Sequence, residues 1–165
     1  MIDEYIASHG KRLYGLCLTL CRNSYDAEDL YQETWLKVMK SISQYRADQP
    51  FAPWLTKICV NEYRSNLRRL ARSPIFNAFH SSEEKEQLFA AAAAPEKDDY
   101  SDLHGAIDRL PEKLRLTVIL FYFEDMDIDA VSRALSIPPG TVKSRIYKAR
   151  NKLKEELQNA EYLSF

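Results

Sequence analysis

Apolar residues near the C-terminus fall into two helical series separated by a short break. The first is Ile128, Val131 and Leu135, and after residues 136–140 the second is Val142, Ile146, Ala149 and Leu153. Spacings of three and four residues place each series on one face of a helix. Two helices joined in this way form a helix-turn-helix, in which the first helix braces the second and the second enters a DNA major groove. Hairpins that do not bind DNA share this outline, so the exposed side chains decide its use.

The exposed face of the second helix is basic. Residues 140–154 contain six Lys and Arg and no Asp or Glu. The outward set is predicted to be Lys143, Ser144, Tyr147, Lys148 and Asn151. These side chains can bond base edges or stack on a thymine methyl, while Arg145 and Arg150 can hold flanking phosphates. Backbone amides near Thr141, at the expected helix start, add a further phosphate site.

The rest of the chain also favours helices. Only 4 glycines occur in 165 residues, which is too few for the turns of a multi-stranded sheet. In the N-terminal part, apolar spacing predicts helices over residues 2–21, 24–42 and 54–69, the second capped by Asn23 or Ser24. Residues 43–53 lack periodicity and contain two prolines, so a loop is expected there.

The C-terminal part begins with a further helical pattern before the helix-turn-helix. Pro111 is expected to start a helix whose inward side chains are Leu114, Val118, Phe121 and Tyr122. Between the two parts, residues 73–102 carry 2 Lys and Arg against 7 Asp and Glu, together with an alanine run, which is linker composition. The sequence therefore predicts an all-α protein of two small helical domains, 1–72 and 103–165, joined by an acidic, Ala-rich linker.

Basic residues form a second cluster at the end of the N-terminal part. Residues 57–72 hold five Lys and Arg and one acid, although the net charge of the whole chain is -1. Each basic cluster is either a solvated helix face or a surface that binds phosphates and releases counterions.

The helix predicted over residues 24–42 carries an acidic outer face, with Asp26, Asp29 and Glu33 among its residues. This spacing is compatible with a solvated face, a carboxylate metal site or a docking patch for a basic partner. A metal site is weakly supported, because the pattern includes no histidine.

Other features point away from catalysis and export. Cys17 and Cys21 lie one helical turn apart and, with His9 and Cys59, outline a metal site, but both lie on the apolar stripe, which favours core packing. Trp54 is predicted to be a core residue. The sequence has no paired nucleophile and base and no phosphate-binding glycine loop, so neither an enzyme nor a cofactor is expected. With no signal pattern and no apolar run of about 20 residues, the chain is expected in the cytoplasm.

Three segments resemble the extracytoplasmic-function (ECF) sigma factors of bacterial RNA polymerase. Residues 140–150, GTVKSRIYKAR, are similar to the promoter-recognition helix of that family. Residues 26–35, DAEDLYQETW, resemble its polymerase-binding segment, and residues 51–61, FAPWLTKICVN, resemble its promoter-melting segment. The three occur in the family's order, and the linker is the part that the family leaves variable.

The resemblance implies a role for each motif. The contacts with the clamp coiled coil of the largest subunit of core RNA polymerase are Asp26, Asp29, Gln32 and Glu33. Asn61 lines the pocket for a flipped base of the minus-ten element, the loop with Tyr45, Arg46 and Gln49 selects that base, and the backbone is held by Arg64, Arg68 and Arg69. The minus-thirty-five element is read by Lys143, Ser144, Tyr147 and Lys148, with Thr141, Arg145, Arg150 and, from the bracing helix, Arg133 as further DNA contacts.

The sequence departs from the family pattern at the helix-turn-helix, where Asp127 replaces a common Ser or Thr cap, Ala130 a common Glu and Ser136 a Gly. Asp caps as well as Ser, and Ser136 carries a cost only if its position needs positive φ. The family also implies promoter DNA as a partner and an anti-sigma factor as a regulator. Two alternatives remain: an autonomous helix-turn-helix transcription factor whose N-terminal half dimerises or senses a signal, and a metal or redox sensor that uses the cysteines.

Overall fold

The computed structural model describes residues 1–74 and 102–163, and all regular structure within these ranges is helical. The chain divides into two compact units, Met1–Pro95 and Glu96–Phe165. This confirms the predicted all-α class with two helical domains. Most of the segment 73–102, which the sequence predicts to be a linker, lies outside the described residues.

Helix α1 spans Ile2–Cys21 and α2 spans Ser24–Ser41. The chain leaves α1 through Arg22, whose left-handed conformation (φ 63°) directs its N–H to the Leu18 carbonyl at 2.8 Å. Asn23 then caps α2, because its Oδ1 accepts the backbone N–H of Asp26 at 2.8 Å. The predicted cap is confirmed, and the two helices are joined by a two-residue connection.

Helix α3 spans Phe51–Ala71, so it begins three residues before and ends two residues after the predicted limits. The sequence reading assigned the start to the loop because of Pro50 and Pro53. Proline is tolerated in the first turn of a helix, where its missing N–H would have no partner, so Pro53 does not delay the helix. A short 3-10 turn, Ile42–Gln44, replaces the first part of the predicted loop.

The core of the first unit is formed by one face of each of these three helices. Its buried side chains include Leu13, Leu16, Cys17, Leu20, Leu30, Trp35, Val38, Leu55, Cys59 and Val60. At Gly10 helix α1 lies close to α2, since a Cβ there would stand 2.8 Å from the Tyr31 hydroxyl. Ala27 and Thr34 of α2 are buried in the same core.

The second unit contains α4 (Asp102–Asp108), α5 (Glu112–Val118), α6 (Ile128–Leu135) and α7 (Pro139–Leu163). Pro111 precedes α5, and its carbonyl accepts the N–H groups of Leu114 and Arg115 at 2.9 Å. The core contains Ile107, Leu110, Leu114, Val118 and Ala149, with Leu153 packed against it.

Helix α5 continues into a π-helical turn over Ile119–Phe123, and this changes which residues face inward. Ile119 and Leu120 are buried, whereas Tyr122, predicted to point inward, is 44% exposed and Phe121 is half-buried. A π turn widens the helix and shifts the register of the apolar face. The expectation for Tyr122 was therefore wrong, because it assumed a continuous α-helical repeat.

In the helix-turn-helix, α6 has the predicted limits, whereas α7 begins earlier in the sequence than predicted. Asp127 caps α6 by accepting the Ala130 N–H at 2.7 Å. Ser136 lies in the left-handed region (φ 55°), and its N–H donates to the Ser132 carbonyl. Helix α7 starts at Pro139 rather than Thr141, as expected for a proline at the first helical position.

One charged side chain lies fully inside the second unit. Arg115 has 0% exposure, its Nη1 lies 3.2 Å from Glu112 Oε1, and its Nε lies 3.7 Å from Asp108 Oδ1. Both carboxylates are partly exposed, whereas the whole arginine side chain, including its guanidinium, is buried and fills the core at this point.

We expect Arg115→Ala to lower the free energy of unfolding of the second unit by about 3 kcal/mol, since it leaves a cavity and two carboxylates without a cation. Arg115→Met fills the space but leaves the same two carboxylates unpaired, so it should cost about 1–2 kcal/mol less than Arg115→Ala. Urea unfolding followed by circular dichroism measures both losses. Both tryptophans, Trp35 and Trp54, lie in the first unit, so the transition seen by their fluorescence should not move. Equal losses for the two variants would contradict this role.

Ser136→Gly should stabilise the second unit by about 1 kcal/mol, because a left-handed conformation strains a residue that has a Cβ. The matched control is Ser144→Gly, in which the same change falls inside α7 and should destabilise by about 0.5 kcal/mol. Chemical unfolding of the full chain measures both. If Ser136→Gly destabilises the unit, the interactions of the serine side chain stabilise it by more than the left-handed backbone costs.

Candidate nucleic-acid interfaces and an acidic docking face

Helix α7 buries one face and exposes the opposite one. Val142, Ile146 and Ala149 are buried against the unit. On the other side the exposed residues are Gly140, Lys143, Ser144, Tyr147, Lys148 and Asn151. Tyr147 is 69% exposed although it is aromatic. The structure therefore brings the predicted base-reading residues together on one solvent-facing surface, with α6 packed behind it.

The residues predicted to hold phosphates beside this surface differ in exposure. Arg133 on α6 and Arg150 on α7 are exposed, while Thr141 and Arg145 are half-buried. Arg150 is held by a neighbour: its Nε donates to the Tyr122 hydroxyl at 2.6 Å, and its guanidinium lies 5.6 Å from the centre of that ring. Sequence reasoning missed this contact because it placed Tyr122 inside the core.

The predicted phosphate site at the amides near Thr141 needs correction. The N–H groups of Thr141 and Val142 both donate to the Pro138 carbonyl, at 3.0 and 3.2 Å. They are used in this way because α7 begins two residues earlier than the sequence suggested. These two amides are therefore internal helical donors, and phosphate binding in this region depends on the side chains.

A second basic surface runs along α3. Lys57, Asn61, Arg64 and Arg68 follow one another at intervals of three or four residues, opposite the buried Leu55, Cys59 and Tyr63. Asn61, Arg68 and Arg69 are exposed, and Arg64 is half-buried. Because burial of the apolar face fixes the rotation of the helix, the predicted minus-ten residues of α3 lie at the surface.

The loop before α3 is closed by its own side chains. The Gln49 N–H donates to the Arg46 carbonyl at 2.9 Å, and Arg46 forms an exposed ion pair with Asp48 at 2.9 Å. The Tyr45 hydroxyl donates to the Gln49 carbonyl at 2.5 Å. The pKa of Tyr45 is raised, first by desolvation and then by Tyr5 and Asp48, which favours the protonated, donating phenol. These bonds order the loop that was predicted to select a base.

Trp54 is not a core residue, contrary to the sequence prediction. It is half-buried and lies on the α3 side that carries Asn61 and Arg68, one position away from the buried Leu55. Its ring packs 5.0 Å from Tyr45 and 5.5 Å from Phe51, measured between centroids. The expectation failed because Trp54 was placed on the apolar stripe that begins at Leu55. The position instead adds an aromatic surface at the junction of the loop and α3.

Helix α2 exposes an acidic face with apolar residues among the acids. Asp26, Asp29 and Gln32 are exposed, as predicted for contact residues, whereas Glu33 is half-buried and accepts a hydrogen bond from Asn66 Nδ2 at 2.7 Å. The sequence reading did not single out three large exposed side chains on this helix: Tyr25 (79%), Leu36 (52%) and Met39 (47%). Their spacing relative to Asp29 places them beside the acids. Such a mixed surface fits a protein partner better than a solvated face does.

The cysteines pack within the first unit. Cys17 and Cys59 are buried, with their sulfurs 3.8 Å apart, and Cys21 is half-buried. The hydrogen bond with Cys59, followed by burial, raises the pKa of the Cys17 thiol, which keeps it protonated and a poor metal ligand. His9 lies against Phe51 at 5.0 Å instead. Across residues 1–74 and 102–163, no three His, Cys, Asp or Glu side chains form a group able to hold a metal.

In these same two ranges, no helix combines the length and the apolar character that a membrane crossing needs.

Comparison with known families assigns both units. Residues 5–73 match the Sigma-70 region 2 family and residues 100–153 match Sigma-70, region 4. The chain is 31% identical over 162 residues to the RNA polymerase sigma factor CarQ of Myxococcus xanthus, an alignment that covers 96% of this chain and 90% of CarQ. It is 32% identical over 160 residues to the ECF RNA polymerase sigma factor SigE of Mycolicibacterium smegmatis, with 94% of this chain but only 61% of SigE covered.

Solved structures show the same fold at lower identity. The sigma factor RpoE of Bartonella quintana, crystallised with the anti-sigma factor NepR, superimposes with a TM-score of 0.72 at 22% identity, covering 94% of this chain and 96% of that one. CnrH, solved with the cytosolic domain of CnrY, gives a TM-score of 0.65 at 20% identity and covers 96% of this chain and 88% of CnrH.

Proposed function

Because this chain belongs to the ECF family of RNA polymerase sigma factors, we propose that its two units divide promoter recognition between them. As a sigma factor it directs promoter-specific initiation by RNA polymerase and is not itself an enzyme. In the proposed division, the first unit binds core polymerase and the minus-ten element, and the second binds the minus-thirty-five element. One observation carries the proposal: each sigma-70 region coincides with an exposed basic helix, α3 or α7.

For the second unit, we assign Lys143, Ser144, Tyr147 and Lys148 to base edges in the major groove. They occupy one exposed face of α7, and their hydrogen-bonding groups suit guanine, adenine or thymine edges. Thr141, Arg145, Arg150 and Arg133 are assigned to the flanking backbone. The contact with Tyr122 supports the role of Arg150, because it holds the guanidinium beside the recognition face.

For the first unit, we assign Asn61 with the loop of Tyr45, Arg46 and Gln49 to a base of the minus-ten element. A flipped base needs polar groups and an aromatic surface on which to stack, and the Tyr45–Trp54 pair supplies an aromatic surface on the side of α3 that carries Asn61. Arg64, Arg68 and Arg69 are assigned to the phosphates of this element. Weak contacts in two tethered units reinforce each other, since each raises the effective concentration of the other at the promoter.

Core polymerase is assigned to the outer face of α2. Asp26, Asp29, Gln32 and Glu33 supply polar contacts, and we add Leu36 and Met39 as apolar anchors because both are about half exposed. The partner surface on the polymerase is the clamp coiled coil of its largest subunit. An anti-sigma factor is a further proposed partner, by analogy with the two related structures that contain one. The same reasoning places the chain with the polymerase in the cytoplasm.

The proposal is tested by reconstitution. Purified chain and core RNA polymerase are incubated with fragmented bacterial DNA, and the 5′ ends of the transcripts are sequenced. We expect a defined set of start sites that share two upstream elements and that require both proteins. A chain that fails to bind core, or palindromic sites bound without polymerase, would instead support an autonomous transcription factor.

The double variant Asp29→Ala, Leu36→Ala should weaken binding to core polymerase by about tenfold, because it removes a charged contact and an apolar anchor from the proposed α2 face. The matched control is Glu4→Ala, an exposed acid on α1 and outside the proposed α2 face. Titration of labelled chain with core enzyme gives both affinities. Equal affinities for the double variant and the wild type would contradict the proposal that core polymerase binds this face.

The double variant Lys143→Ala, Lys148→Ala should reduce initiation at promoters with an intact minus-thirty-five element by about tenfold to a hundredfold. On a template with that element scrambled, the variant and the wild type should be equally weak, because the lost contacts read that element. Lys152→Ala, an exposed lysine of α7 outside the recognition set, serves as the control. The measurement is run-off transcription on paired templates. A loss of the same size on both templates would contradict base reading by these lysines.

A further inference from the structure

A line of hydrogen bonds connects α2 with Arg69, near the end of α3. Asn66 Nδ2 donates to Glu33 Oε2 at 2.7 Å, across a separation of 33 residues. Asn66 Oδ1 in turn accepts from Nη2 of Arg69, one helical turn along α3. Glu33 and Asn66 are half-buried, whereas Arg69 is exposed. Asn66 is thus the only side chain in this line that touches both charged partners.

The chemistry of the amide matches both neighbours. A side-chain amide has donor hydrogens on nitrogen and an acceptor oxygen, so one group serves the carboxylate and the guanidinium at once. Hydrogen bonds to charged groups are stronger than neutral ones, which favours this arrangement over a solvated Asn66. The orientation of Asn66 is fixed from the α2 side by Glu33, and Asn66 fixes that of Arg69.

We propose that Asn66 is a positioning residue for promoter binding: it holds the Arg69 side chain ready to contact a DNA phosphate. This inference rests on the proposed function, which assigns Arg69 to the phosphates of the minus-ten element. A guanidinium has five N–H donors, so the bond to Asn66 leaves others for the phosphate. An arginine that is ordered before binding loses less side-chain entropy in the complex, and affinity rises accordingly.

Because the Asn66 amide is uncharged, it can bond both charged neighbours in a way that a carboxylate at position 66 could not. An aspartate at position 66 could also accept a bond from Arg69, but it would neutralise the guanidinium and stand beside the Glu33 carboxylate. Both effects would lower the affinity for DNA. The amide orders Arg69 while leaving its positive charge available to the phosphate.

Arg68 provides the matched comparison. It is the adjacent arginine, it is exposed on the same helix and it is assigned to the same DNA backbone, but it is not part of the Glu33–Asn66–Arg69 line. Loss of Asn66 should therefore affect the contribution of Arg69 and leave that of Arg68 unchanged.

The test uses the reconstituted holoenzyme and a double-stranded promoter identified in the transcription experiment. The dissociation constant is measured at several salt concentrations for Asn66→Ala, Arg69→Ala, Arg68→Ala and the two double variants that include Asn66→Ala. Arg69→Ala should weaken binding by about tenfold and reduce the salt slope by about one, as expected for one lost phosphate contact. Asn66→Ala should weaken binding by about threefold, which is the effect of a disordered arginine.

The double variants decide between positioning and a general structural role. Asn66→Ala added to Arg69→Ala should cause no further loss, because no arginine remains to be positioned. Asn66→Ala added to Arg68→Ala should multiply the two single losses. Asn66→Asp, which keeps the shape of the side chain, should bind DNA at least as weakly as Asn66→Ala. Because Asn66 also bonds Glu33, a proposed core contact, each holoenzyme is formed at saturating core polymerase before the DNA titration.

Three results would overturn the inference: multiplied losses for Asn66→Ala with Arg69→Ala, wild-type DNA affinity in Asn66→Ala, or wild-type DNA affinity in Arg69→Ala. Failure of the proposed function is distinguishable, because the wild-type chain itself would then fail to bind core polymerase or to direct initiation.

Discussion

Burial of a single apolar face on each helix is the constraint on which the functional surfaces depend. In α3, the buried positions Leu55, Cys59 and Tyr63 fix the rotation of the helix, so Asn61 and Arg68 must face solvent. In α7, burial of Val142 and Ala149 directs the lysines and Tyr147 outward in the same way. The side chains proposed to bind DNA need no interactions of their own to reach the surface, because the core determines their direction.

The ends of the helices refine this arrangement. Asn23 and Asp127 cap α2 and α6, and Ser136 adopts a left-handed conformation that an ordinary residue adopts only at a cost. The early start of α7 at Pro139 takes the amides of Thr141 and Val142 into the helix. As a result, contact with DNA depends on side chains whose placement is set by a short and tightly bonded turn.

Several side chains that look independent in the sequence contact one another in the structure. Arg150 is held by Tyr122, Trp54 packs against Tyr45, and Arg69 is joined to α2 through Asn66. Each group lies beside a surface proposed to bind DNA. Such contacts order long side chains before binding, which reduces the entropy lost in forming a complex. A family motif identifies the contact residues but not the neighbours that hold them.

The sequence alone determined the helical class, the caps at Asn23 and Asp127, the outward direction of the basic faces and the family, because periodicity and capping are properties of neighbouring residues. It misplaced Trp54, which lies outside the apolar stripe that begins at Leu55, and Tyr122, because a π turn alters which positions face inward. Only the tertiary structure decided that Asn66 meets Glu33 and that Arg150 meets Tyr122, residues 33 and 28 positions apart. Those contacts depend on how whole helices pack together, which no local pattern encodes.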